Sequence, residues 1–204
     1  TYRNGTDYSD THEGDTANVG WLTSDKYTEL KKAMLKSVYE NGGFYVGRYE
    51  AGISEFRTSN KNEPTEVPAS KQNMIPYTNI TRTQAKQLAE KVNSGGYTSS
   101  LMFGIQWDLM LAFMQNKGGI DVSTLTTDST SIGNYRNNKW SITNNKAKYS
   151  KDDGKSWNDG SYTKKEEGAV LLTTGASDSF AKMNIYDVAG NVVEWTLEGD
   201  QSGS

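Results

Sequence analysis

The sequence predicts an α+β domain of short strands, about three helices and long loops. Three observations lead to this class. The chain has 204 residues, enough for one good-sized core, but only 34% are hydrophobic while Gly (20), Tyr (12) and Trp (5) are plentiful. That is the balance of a loop-rich chain built around aromatic side chains. Three segments carry apolar residues at helical spacing. Between them lie short aromatic and β-branched runs bounded by Gly, Pro and Asn, the pattern of brief strands.

Residues 1–20 are polar, rich in Thr, Asp, Asn and Gly, and read as a flexible N-terminal arm ahead of one domain over 21–204. The first helix starts at Thr23 or Ser24, with Asp25 near its start. It carries Tyr27, Leu30, Met34, Leu35 and Val38 on its apolar stripe and ends at Asn41-Gly42-Gly43. Phe44–Glu50 (FYVGRYE) reads as a strand, with Glu50 a buried carboxylate paired to Arg48 or to a backbone amide. Residues 53–75, with Pro64 and Pro68, read as a surface loop.

Thr81 or Thr83 caps the second helix. Ala85, Leu88, Ala89 and Val92 form its buried stripe, and Asn93 to Gly96 stop it. Residues 99–114 read as a short strand followed by a third helix, with Trp107, Leu111 and Met114 in the core. Residues 117–172 read as a loop-rich insertion holding one hairpin. There Ser150–Trp157 (SKDDGKSW) matches the Asp-box pattern S-x-D-x-G-x-[S/T]-W. Asp152 is expected to accept hydrogen bonds across the turn, Gly154 to take a positive φ, and Trp157 to pack over the hairpin. Asp-boxes recur in sialidase propellers, but a single copy cannot build one.

Several function classes are disfavoured. The net charge of -3 is mixed along the chain, unlike an extended nucleic-acid footprint. No apolar run approaches the ~20 residues that span a bilayer. With no cysteine there is no disulfide, thiolate metal site or cysteine nucleophile. The single histidine, His12, lies in the arm without a second His or Cys and reads as a solvated loop residue. No G-x-S-x-G elbow, G-x-G-x-x-G turn or phosphate-binding loop occurs, and the pairs Asp152/Asp153 and Glu166/Glu167 read as solvated. The chain is expected not to be an enzyme.

The most informative segment is Asn184–Trp195 (NIYDVAGNVVEW), in which a small-residue turn at Ala189, Gly190 and Asn191 leads into an apolar strand carrying Glu194. It resembles the D-x-x-G-N-V-x-E-W signature of the formylglycine-generating enzyme family, the sulfatase-modifying-factor domain. Other segments follow. Phe44–Glu50 resembles the family's F-x-I-G-x-Y-E-V strand. Pro76 to Ala85 resembles its P-V-x-x-V-S-W-x-x-A helix entry, and Gln106-Trp107-Asp108 stands where the family has E-W-E. The chain departs at Leu101–Gly104 (LMFG), where the family has R-L-P-T. The likeness runs from about Phe44 to Trp195, interrupted by the insertion.

The resemblance implies a C-type-lectin-like fold. Because the chain ends nine residues after Trp195, before the family's R-G-G-S-W-like segment, it also implies a fold short of its last strands. The family's enzymes use cysteines, and a copper oxidase site would need two thiols, so no copper site is expected. The likeness points instead to a non-catalytic branch resembling the variable proteins of bacterial and phage diversity-generating retroelements. It implies calcium at the turn, with Asn191 and Glu194 as side-chain ligands, carbonyls near Val192, and help from a loop such as 175–179. Calcium takes six to eight hard oxygens. The same residues also read as hydrogen-bonding partners that merely satisfy the turn.

The expected function is a ligand-binding, receptor-binding or adhesion domain on a bacterial surface or phage particle, hence extracellular, recognising a protein or glycan. Tyr135, Trp140 and Trp157 are the candidate ligand-binding residues. The alternatives are a decoration module of a virion or surface assembly, and an oxidase of the parent family whose cysteines lie outside this chain. Neither nucleic acid nor membrane insertion is expected. A homo-oligomer or a partner chain completing the fold is consistent with the shortened C-terminus.

Overall fold

The computed structural model describes residues 24–92, 95–126 and 132–197. The arm expected over 1–20, with His12, lies outside them. The described residues form a mixed α+β structure of four α-helices and small antiparallel sheets. The chain divides into two compact units. One takes residues up to 46, 81–110 and from 195 on; the other takes 47–80 and 111–194.

In the first unit, helix α1 (Ser24–Asn41) buries Tyr27 completely against Phe103 and Leu197, with Leu30, Met34, Leu101 and Ile105 around them. Tyr27, Leu30, Met34 and Val38 follow steps of three and four and so share a face. Leu35, one residue past Met34, is turned about 100° away and is exposed, contrary to its expected place on the stripe. Helix α2 (Arg82–Ala89) starts at the N-cap Thr81. The Thr81 hydroxyl accepts from the Gln84 backbone N–H (3.2 Å), and the Gln84 side chain accepts from the Thr81 N–H (3.0 Å), a complete capping box. Leu88 is buried as expected, and so is Arg82, which donates to the Leu197 carbonyl.

No strand forms at 99–103. The Phe103 N–H instead donates to the Gln106 side-chain oxygen (3.0 Å) at the start of helix α3 (Gly104–Gly118). Leu111 and Met114 are buried on α3 as expected, while Trp107 is only half-buried.

Phe44–Glu50 is not a strand either. The strand falls just after it, as β1 (Ala51–Ile53), the centre of a three-stranded antiparallel sheet with β2 (Ala69–Ser70) and β3 (Ile75–Pro76) at its edges. Within 48–50 the ladder is replaced by isolated bonds: Tyr49 N–H donates to the Ser70 hydroxyl, and the Arg48 carbonyl accepts from Tyr186. β2 and β3 lie in the stretch expected to be a loop. Gly52 is required at the middle of the sheet, because a Cβ there would overlap the Met74 side chain.

The stretch 117–172 is more ordered than its composition suggests. After helix α4 (Val122–Thr126), strand β4 (Trp140–Ser141) pairs with β7 (Thr163–Lys164). Strand β5 (Lys148–Ser150) lies between β6 (Asn158–Asp159) and β8 (Leu171–Leu172). These strands enclose the core of the second unit: Trp140, Ile142, Ala147, Val170, Leu172, Ala176 and Phe180, with Tyr149 and Tyr162 packed against it.

The Asp-box is the turn of the β5–β6 hairpin. The Asp152 carboxylate accepts from the Ser150 hydroxyl (2.7 Å) and from both the N–H and hydroxyl of Ser156. Gly154 has φ +82°, and the Phe56 ring lies where its Cβ would be. Trp157 packs on that same Phe56, with centroids 6.3 Å apart.

Candidate functional site

The turn expected to carry the site is built from close backbone approach. Gly133 and Gly190 leave no room for side chains: a Cβ on Gly133 would overlap the Ala189 carbonyl, and one on Gly190 the Asn134 carbonyl. Asn134 and Gly190 form a parallel bridge, with Asn134 N–H donating to Ala189 (3.2 Å) and Asn191 N–H to Asn134 (2.9 Å). Asp187, Gly190 and Asn191 all have positive φ, at 58°, 73° and 64°. These are the conformations that Gly, Asn and Asp tolerate best.

Asn191 then acts as a side-chain strand. Its Oδ1 accepts from Leu172 N–H (3.0 Å) and from Asn134 Nδ2 (2.9 Å), while its Nδ2 donates to the Leu172 carbonyl (3.2 Å) and to Glu50 Oε2 (3.0 Å). Glu50 therefore pairs with Asn191, and no Arg48 partner is found among the described residues. Asp187 is buried and takes the Gly175 N–H at 2.6 Å.

Three carboxylates, Glu50, Asp187 and Glu194, lie near enough to repel one another, and each is harder to ionise than usual. Burial pushes Asp187 up to about 6, partly opposed by the Gly175 hydrogen bond. Burial raises Glu50 well above the ordinary range, and repulsion from Asp187 and Glu194 adds to it. Its Oε1 is buried with no hydrogen-bond partner. Glu194 moves in the same direction, from burial of its carboxyl and then from Asp187; the residue as a whole is exposed, so water screens part of that shift.

The expected calcium shell does not fit these side chains as arranged. Both acceptor positions of Asn191 Oδ1 are taken by protein donors, and a carbonyl-type oxygen has two lone pairs. Among the described residues no group of three His, Cys, Asp or Glu side chains is placed to hold a metal ion. As arranged, the Asn191 side chain satisfies the turn.

On the other side of the turn lies a cleft of about 640 Å³, walled by the Asp-box turn, the 134–136 segment, residues 169–171 and residues 190–193. Tyr135, half-buried, lines it. Trp140 and Trp157 do not. Trp140 is 6% exposed, packed edge-on to Tyr162 and Phe180 at 5.8 and 5.9 Å, so a core position replaces the expected surface one. Trp157 is held by Phe56, and its ring nitrogen is buried.

One residue missed by sequence reasoning shapes the cleft. Lys164 is 1% exposed, and its ammonium donates to the carbonyls of Tyr135 (2.8 Å), Arg136 (2.6 Å) and Asn138 (2.8 Å), fixing the wall that carries Tyr135. Its position in a Lys-Lys-Glu-Glu run gives no sign of this. No family model, curated protein or solved structure matches the chain.

Proposed function

We propose that the chain is a non-enzymatic ligand-binding domain with a C-type-lectin-like fold, related to the formylglycine-generating enzyme family and displayed on a bacterial surface or phage particle. The reading rests on one observation above others: the open cleft beside the Gly190–Asn191 turn, with Tyr135 in its wall. A volume of several hundred Å³ is in the range of ligand sites. The turn that borders it is rigid, so side chains facing the cleft are presented on a fixed frame. The absence of cysteine supports binding over the family's oxidase chemistry. Tyrosine suits the role, since it contributes contact area with few torsions to freeze.

The direct test is to probe the immobilised chain with a glycan array and with a displayed peptide library, then repeat with Tyr135→Ala. The substitution is expected to weaken binding about tenfold, the scale of one well-packed contact residue. Full binding by a folded Tyr135→Ala protein would move the ligand site away from this cleft.

A further inference from the structure

We infer that the cleft takes an acidic segment of a partner protein, one with apolar as well as carboxylate side chains, rather than a neutral glycan. This rests on the ligand-binding reading above and narrows its ligand. The polar groups around the cleft that are still uncommitted decide between these ligands. Sugar hydroxyls are recognised by side-chain amides and carboxylates with spare hydrogen-bonding capacity.

Here most of that capacity is spent inside the protein, the exposed carboxylate of Asp153 being the exception. Asn134 Nδ2 donates to the Val170 carbonyl (2.7 Å) and to Asn191, and Asn191 has four partners of its own. Asp152 is used up by Ser150 and Ser156, and the Ser150 hydroxyl also takes the Gly154 N–H at 2.8 Å. The same bonds hold Asp152 ionised, with its carboxyl lowered to about 2.

What remains, Asp153 aside, is cationic and apolar. Arg136, Lys151 and Lys155 line the cleft and make none of the ion pairs found among the described residues. Lys151 is poised over the stacked Tyr149 and Tyr162 rings, 4.5 Å from the Tyr162 centroid. Asp152 and Asp153 are the lining carboxylates, so the lining is cationic by one charge (three cations less two carboxylates) within a chain whose net charge is -3. The cleft also offers apolar surface, most openly Val193, which is 93% exposed. Guanidinium and ammonium groups beside exposed apolar side chains match carboxylates flanking an apolar side chain, by charge-assisted hydrogen bonds and by burial of the apolar groups against one another.

The test uses the whole chain, a random dodecapeptide library displayed on phage, and an array of neutral oligosaccharides. Selected peptides are expected to be enriched in Asp and Glu together with aliphatic residues. Their affinity is expected to fall at least about tenfold with the combined Arg136→Gln, Lys151→Gln and Lys155→Gln substitutions, and to fall with added salt. These are surface changes, and an unaltered melting temperature checks that the variant is folded. Val193→Asp is a second variant, expected to weaken the same peptides by placing a carboxylate on the exposed apolar edge of the cleft.

Peptides that are basic or neutral, or that bind the triple variant as well as the parent, overturn the inference. Binders found only on the oligosaccharide array, and lost with Tyr135→Ala, overturn it while leaving the ligand-binding reading intact. No binder in either collection removes both.

Discussion

Replacing Asn191 with alanine removes four hydrogen bonds at once, to Leu172 N–H, the Leu172 carbonyl, Asn134 and Glu50. Several of these partners are then left without a replacement, so the expected loss is roughly 2–4 kcal/mol of unfolding free energy. Chemical denaturation measures it, and a loss well under 1 kcal/mol would mean that water fills the gap. Gly154→Ala tests the Asp-box in the same way. It forces a side chain into φ +82° and into the Phe56 ring, with an expected loss of about 1–3 kcal/mol.

Both positions were legible in the sequence because their signals are local: a Gly or Asn at a tight turn, and serines spaced around an aspartate. Trp140 was not. Nothing near it in sequence shows that Phe180 closes over it, and a tryptophan in a polar stretch reads equally well as a surface platform.

At the scale of elements, the same contrast separates α2 from the small sheets. The capping box of α2 lies within four residues, and Thr81 could be named from sequence as one of two candidate caps. Thr81→Ala is expected to lower stability by about 1 kcal/mol, and Thr81→Ser to restore most of it, because serine caps equally well. Thermal melts of the two variants decide this; equal losses would point to the Thr81 methyl rather than its hydroxyl.

Strands β2, β3, β4 and β7 are two residues long and take their order from partners far along the chain. Two residues carry no usable alternation, so the sequence reads as loop there. Strand β7 owes its place partly to Lys164, whose ammonium gathers three carbonyls. Lys164→Met keeps the apolar stem but leaves those carbonyls without their donor, and is expected to destabilise by about 3 kcal/mol. The Tyr135 wall is then expected to loosen, which amide hydrogen exchange over 133–138 would report as faster exchange.

For the molecule as a whole, the shifted carboxylates predict opposite dependences on either side of mild acid. Asp152 is lowered from 3.8 to about 2 by its serine hydrogen bonds. A depressed carboxylate stabilises the fold above its unfolded pKa, and that contribution is lost as pH falls from 3.8 through about 2. Asp187 is raised from 3.8 to about 6, and Glu50 is raised with it. A raised carboxylate does the reverse: the folded state holds its proton more tightly, so stability is highest below the unfolded pKa and declines as pH rises through about 6.

The expected stability profile therefore climbs from pH 2 to near pH 4 and then falls through about pH 6 as Asp187 ionises. Glu50→Gln removes one of the crowded charges while its side-chain oxygen can still accept from Asn191. It should leave the acid limb unchanged and flatten the fall that follows it. Denaturation midpoints of parent and variant across this range, each with and without a chelator, test the point. A parent protein whose stability holds level from pH 4 through pH 6, but drops on chelation, would show that a cation rather than protons balances Glu50, Asp187 and Glu194.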